Sequence, residues 1–367
     1  MVEDQEIRER LPEEVRDQVL VCDLEKENGL TEFSPISKNG YGWPAQASAM
    51  SVLVDGDSQS LSRFPNEGFI NISSIQRKGF VPRDHQANPD GTCPLCTKES
   101  GGESRILCRY GETKFPEQEG GIFTTNNAEV LERFPLWQQE TDIWTFGYFY
   151  WDWADDNCAV EAIKKTDAGV QITLKHPSRY GVGQGGRRFY AYNMLCEVDR
   201  PGEWYLDREN AKLYLYPEKD ISESNIELSM QTNPLVMLNN VKYVNWQGIT
   251  FTKSNGHGIV MKNCENVEIA GCTFSDLGQR AIFVGNPNYT DADVNLGAEG
   301  GNNNTIRSCD ITRTGQGGVF LGGGNRYQLT PGNNKVVNCD ISDFSTIKRT
   351  YSVSYTHLRA HETCADL

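Results

Sequence analysis

The chemical reading starts from two aspartates. Asp310 and Asp340 each follow a cysteine in related segments, SCDITRTGQGGVFLG at 308–322 and NCDISDFS at 338–345. If these are strands of neighbouring repeats with the cysteine turned inward, alternation turns both carboxylates outward, about 5 Å apart. At that separation one carboxylate can serve as acid/base and the other as nucleophile at a glycosidic bond. A solvated polar ladder accounts for the same pair. Asp276 and Asp343 share a second repeat phase, and both readings apply to them too.

Three further groups bear chemistry. The run Tyr148-Phe149-Tyr150-Trp151-Asp152-Trp153 is dense in rings. Read as a strand, it puts Trp151 and Trp153 on one face and Tyr150 and Asp152 on the other. That face is a sugar-stacking platform or a packed seam between domains. His257, Arg280 and Gln316 lie in or beside Gly-containing turns, and Arg326 lies in an insertion. Each has the donors to bind a sugar hydroxyl, and each also reads as an ordinary surface residue. His85, Cys93, Cys96 and Cys108 have the spacing H-x7-C-x2-C-x11-C. One such pair of close cysteines suits structural zinc, but a second CxxC is missing, so a disulfide or free thiols stay open. No other cofactor is implied. The chain contains no G-x-x-x-x-G-K-[ST], H-E-x-x-H or G-x-S-x-G. YGVGQGG (180–186) opens no helix and makes a poor phosphate loop.

The elements that would position these residues are written as a repeat. Aligning Cys272 with Cys309 matches Gly278 with Gly315, Gln279 with Gln316, and Ile282-Phe283-Val284-Gly285 with Val319-Phe320-Leu321-Gly322. An earlier copy puts Ile249 at the cysteine position, Phe251 with Phe274, and Ile259 with Ile282; a later one starts at Cys339 and Ile341. The first interval is the bare unit. The next two carry insertions at one place, 286–301 and 323–334. Within each unit apolar residues alternate over short runs broken by small and polar ones, a strand pattern. So short a unit cannot bury its own apolar face, and stacking at about 4.8 Å solves that. The expectation is an all-β protein: a parallel β-helix over 236–352, preceded by a β-rich accessory domain over 41–235 and a lead-in of one short helix over 1–40. A β-sandwich with chance similarity is the alternative. The two insertions leave from one position and should wall a groove.

Composition agrees. There are 35 Gly, 15 Tyr, 15 Phe and 7 Trp in 367 residues, and little long helical periodicity. A net charge of −15 without a basic stripe makes nucleic acid and anionic membranes poor partners, so neither is expected, and leaves a neutral polysaccharide or glycan open. No apolar run reaches membrane-span length. The eleven cysteines include Cys272, Cys309 and Cys339 in one repeat phase, read as small core side chains.

Several stretches resemble a bacterial family of right-handed parallel β-helix (pectin-lyase-like) glycoside hydrolases that includes α-L-fucosidase- and xylanase-type enzymes. They are RLPEEVRDQVLVCDL (10–24), LSRFPNEGF (61–69), IWTFGYFYWDWADDN (143–157), GRRFYAYNMLCEVDRPGEWYLDRENAKLYLYP (186–217) and GGVFLGGGNRYQLTPGNN (317–334). GEWYLDRENAKLYLYP is the most specific, and it reads independently as a hairpin of strands Glu203–Asp207 and Lys212–Tyr216. SVLVDGDSQSLSRF carries a second hairpin signal. The resemblance implies an accessory domain before the main coils, earlier coils upstream, and acidic catalytic residues in coils later than these. It also implies an exported parent, extracellular or periplasmic, although the first residues lack a signal peptide's apolar core. The tail VSYTHLRAHETCADL (353–367) keeps no repeat phase and resembles translated adapter sequence from metagenomic reading frames. The expectation is therefore a fragment of a polysaccharide-degrading glycoside hydrolase that supplies part of the glycan groove without the catalytic pair. The alternatives are a non-catalytic glycan-binding or surface β-solenoid, and a polysaccharide lyase, for which the coils lack a tight acidic cluster for Ca²⁺.

Overall fold

The computed structural model describes residues 1–43, 46–82, 119–183, 187–287, 299–325 and 328–350. The chain divides into two compact units, 1–32 with 59–223, and 33–58 with the chain from 224 onward. Among the described residues no helix is long and apolar enough to cross a membrane.

In the first unit the expected hairpin pairs Glu203–Asp207 antiparallel with Lys212–Tyr216, Glu203 opposite Tyr216 and Asp207 opposite Lys212. Leu20–Asp23 adds to its Lys212–Tyr216 edge and Ser60–Leu61 to the other. A larger antiparallel sheet runs in the order Arg63–Phe64, Arg188–Tyr192, Trp144–Tyr148, Asp156–Thr166, Gly169–Leu174, Ile122–Thr125, Ser74–Arg77, with Ile70–Asn71 also on Arg188–Tyr192. Helix Ala128–Trp137 starts where Asn127 Oδ1 accepts the Val130 N–H, a side-chain cap. It buries Val130 and Trp137 in a core with Phe123, Phe149, Phe189 and Ile172. Buried carboxylates fasten the turn Leu195–Glu197. Glu140 accepts the Leu195 and Cys196 N–H groups, and Glu197 accepts from Trp137 Nε1 and Arg133 Nε.

In the second unit, Ser51–Val54 and Asp57–Ser58 form a hairpin over Asp55-Gly56, whose φ values of 52° and 88° are the left-handed conformations a two-residue hairpin turn requires. Ile226–Ser229 pairs on its free edge. Then the coils begin, forming three four-stranded parallel sheets. Sheet one holds Val236–Asn239, Ile259–Lys262, Ile282–Val284 and Val319–Leu321. Sheet two holds Asn245–Gln247, Glu268–Ala270, Thr305–Arg307 and Lys335–Val337. Sheet three holds Thr250–Ser254, Thr273–Leu277, Asp310–Thr314 and Asp340–Ile341.

The register is the one the repeat implies. Phe251, Phe274, Ile311 and Ile341 stack as one interior column. Ile259, Ile282 and Val319 form another. Cys272 and Cys309 are buried, Cys339 is half-buried, and all three are free thiols in the coil core. The corner between sheets two and three is one left-handed residue per coil, Gly248, Gly271, Ser308 and Asn338, at φ 66°, 58°, 51° and 51°. Glycine takes that conformation without cost; at the last coil Asn338 donates to Ser308 Oγ at 3.2 Å. Both insertions leave between sheets one and two, as expected. Their return is held by Asn304, which donates to the Cys264 and Gly300 carbonyls, accepts from Val267 N–H, and bonds Asn334 on the next coil.

Candidate functional site

The corner between sheets three and one brings together three of the residues singled out in the sequence. Successive coils place His257 and then Arg280 there, followed by Gly317, with Gln279 and Gln316 one residue earlier. The Arg280 backbone N–H donates to His257 Nδ1 at 3.2 Å. Nδ1 is thus the acceptor and the ring proton sits on Nε2. His257 is only 2% exposed. Burial first, and the Arg280 cation second, push its pKa down to about 3, so the ring is neutral. Its Nε2–H has no hydrogen-bond partner among the described residues, and neither does Gln316 Nε2.

The Arg280 side chain runs from this corner across the outside of sheet one. Its Nη1 donates to Gln316 Oε1 at 3.0 Å, and the guanidinium lies 5.6 Å from the Phe283 ring and 5.8 Å from the Phe320 ring. Phe283 and Phe320 are in register on neighbouring coils and stack at 4.6 Å with 17° between planes. They alternate with the inward Ile282 and Val284, so both face out. The other rim of sheet one is polar. Lys262 pairs with Glu299 at 2.6 Å and Asn286 Nδ2 donates to Glu299 Oε1 at 2.7 Å. The Lys262 hydrogen bond, then that of Asn286, holds the Glu299 carboxyl below its usual range. Phe283 is buried, so Phe320 is the ring of the pair partly open to solvent; with the Arg280 guanidinium beside it and the Lys262–Glu299 pair on the other rim, it can take a ligand that has flat apolar faces and hydroxyl edges.

The sequence reading overlooked Phe283 and Phe320. Their signal was the same ring at the same repeat position, hidden because inward and outward residues alternate within one apolar run.

Asp310 and Asp340 do face outward in register on adjacent coils, and both are exposed. They belong to sheet three, in a column with Thr250 and Thr273. Beside them runs a hydroxyl column in which Thr252 and Ser275 bond at 2.9 Å and Ser342 donates to Thr312 at 3.5 Å. The two aspartates stand at the start of strands whose far ends lead into the Arg280 corner, so strand length separates them from it. Asp276 is engaged by Arg313 through two bonds of 2.7 and 2.8 Å.

The family model described as "Right handed beta helix region" matches residues 234–359, the segment that holds all three sheets. The coils are a right-handed parallel β-helix. A solved structure titled "Glycoside hydrolase" is similar at a TM-score of 0.45 and 12% identity, over 81% of this chain and 57% of that one. The chain thus spans little more than half the length of that structure. No curated protein sequence matches.

Ahead of the β-helix in sequence, in the first unit, the aromatic run departs from the expected alternation. The strand ends at Tyr148, Phe149 turns into the core, and Tyr150 to Trp153 form a turn closed by the Ala154 N–H donating to the Trp151 carbonyl. Trp151 and Trp153 are 43% and 46% exposed. Arg326 and the zinc candidates His85, Cys93, Cys96 and Cys108 lie outside the described residues.

Proposed function

We propose that this is a carbohydrate-active β-helix protein that binds polysaccharide at the Phe320 end of the outer face of sheet one and contributes recognition rather than bond cleavage. The partly exposed Phe320 ring, stacked on the buried Phe283 and lying beside the Arg280 guanidinium, carries this reading. Sugar C–H faces pack on rings, and Arg280, Lys262 and Glu299 supply donors and acceptors at the rims. In a hydrolase of this architecture two carboxylates flank the bond, the acid among them shielded from water. Asp310 and Asp340 both stand in water on a different sheet, so in this reading the bond-breaking pair lies outside the described coils.

The test is electrophoresis through gels containing soluble xylan, mixed-linkage β-glucan or galactomannan, alongside a reducing-end assay. The full chain should be retarded by at least one of these, Arg280→Ala should be retarded less, and no reducing ends should accumulate. Turnover in the ordinary enzyme range of roughly 1–10³ per second, abolished by Asp310→Asn or Asp340→Asn, would overturn the assignment.

A further inference from the structure

We propose a second, separate sugar-binding site in the first unit, an aromatic shelf built from Tyr150, Trp151, Trp153 and Tyr180 that takes a neutral oligosaccharide. It goes beyond the reading of the coils and does not depend on it.

The shelf is a continuous row of rings. Trp151 meets Tyr150 edge-on at 4.9 Å, Tyr150 lies near-parallel to Tyr180 at 6.3 Å, and Tyr180 meets Trp153 edge-on at 5.6 Å. The backbone forces this row outward. Phe149 is anchored in the core, the chain turns at once, and the next residues have nowhere to go but the surface. The row is also held from behind. The Gly183 N–H donates to the Phe149 carbonyl at 2.7 Å, and a methyl at Gly183 would lie 2.7 Å from the Tyr150 ring, so only glycine lets the loop seat against it. Lys78 Nζ stands 4.9 Å and the Arg187 guanidinium 5.8 Å from the Tyr150 ring. Asp152, between the two tryptophans, is tied at 2.9 Å to Arg188, whose guanidinium packs 4.9 Å from Tyr148 on the sheet.

The chemistry of the occupant follows. Two tryptophans nearly half exposed, on a fixed rather than a loose loop, are a costly thing to leave in water. Their rim is tyrosine hydroxyls, an ammonium and an Asp–Arg pair, hydrogen-bonding groups spaced among the rings rather than a dry apolar border. A ligand that offers C–H faces and hydroxyl edges together satisfies both. A net charge of −15 disfavours a polyanionic chain and leaves a neutral one.

The experiment uses the full chain with xylan, mixed-linkage β-glucan and galactomannan as neutral probes and polygalacturonate as the anionic comparator. Binding is read by gel retardation and by tryptophan emission. Covering Trp151 and Trp153 should shift emission to the blue on adding a neutral glycan. Trp151→Ala with Trp153→Ala should raise Kd for that glycan at least about tenfold, and Trp153→Phe should keep most of the affinity. A thermal midpoint matching wild type checks the fold, and the Phe variant keeps the test decisive if the alanine variants fail it. Arg280→Ala reports the coil site separately. Retention lost in Arg280→Ala but unchanged in the double tryptophan variant overturns the shelf and leaves the coil reading standing. Retention lost only in the tryptophan variants supports the shelf and overturns the coil reading. Binding of no glycan overturns both, and preference for polygalacturonate overturns the commitment to a neutral ligand.

Discussion

Replacing Phe274 with alanine should unfold the β-helix locally while sparing the first unit. Phe274 is fully buried at the middle of an interior column, stacked on Phe251 with centroids 4.9 Å apart and planes 12° from parallel, and followed by Ile311 on the next coil. Deleting a buried phenylalanine ring costs about 3–5 kcal/mol, part of it the cavity left behind. A stacked aromatic pair contributes about 0.5–1.5 kcal/mol of interaction beyond its area. Against a domain stability of about 5–15 kcal/mol the loss is a large fraction. In a solenoid each coil touches only its neighbours, so the damage should concentrate in strands Thr250–Ser254, Thr273–Leu277 and Asp310–Thr314. Hydrogen exchange read by mass spectrometry resolves this: those strands lose protection, and Asp156–Thr166 and Gly169–Leu174 keep theirs. Ile341→Ala, in the same column but half-buried on the last coil, should cost less than the roughly 2–5 kcal/mol of a fully buried isoleucine. Equal costs at the two positions, or protection lost uniformly across both units, would refute the column argument.

Two further outcomes follow from buried polar groups. Burial raises the Glu197 pKa to about 7, and burial together with the Asp199 charge raises that of Glu203 to about 8, both above the unfolded value near 4.5. The folded state therefore holds protons that the unfolded chain gives up. This stability is fully present below about pH 4.5 and is lost as pH rises through 7 and 8, on the order of 3–5 kcal/mol per group. The thermal midpoint of the first unit should fall between pH 5 and 8.5, less steeply in Glu203→Gln; a flat or rising profile contradicts this. Asn304→Ala removes one buried amide that serves the Cys264 and Gly300 carbonyls and the Val267 N–H. With about 1–3 kcal/mol at stake for each buried group left unpaired, guanidinium unfolding of the second unit should shift by several kcal/mol, and a shift below about 1 kcal/mol would show water replacing the amide.

The sequence by itself determined whatever nearest neighbours along the chain or along the stack must satisfy. A solenoid has to present compatible residues at the same place on every coil, so Ile249, Cys272, Cys309 and Cys339, and the phenylalanines at 251 and 274, revealed the register directly. The hairpin Glu203–Tyr216 and the Asp55-Gly56 turn were legible because alternation and turn chemistry are local. Tertiary structure alone decided which outward groups stay in water. Phe283 faces out of its sheet and is nevertheless buried, whereas Trp151 and Trp153 are exposed because the strand ends at Tyr148. It also paired Ser51–Val54 with Ile226–Ser229, more than a hundred residues away, and set Leu20–Asp23 beside Lys212–Tyr216. His257 looked like an exposed donor in a glycine-rich turn; its neutrality comes from burial and from the Arg280 cation one coil on. Periodicity reports the direction in which a side chain leaves the backbone. What it then meets depends on chain segments brought up from elsewhere, and that determines both charge state and exposure.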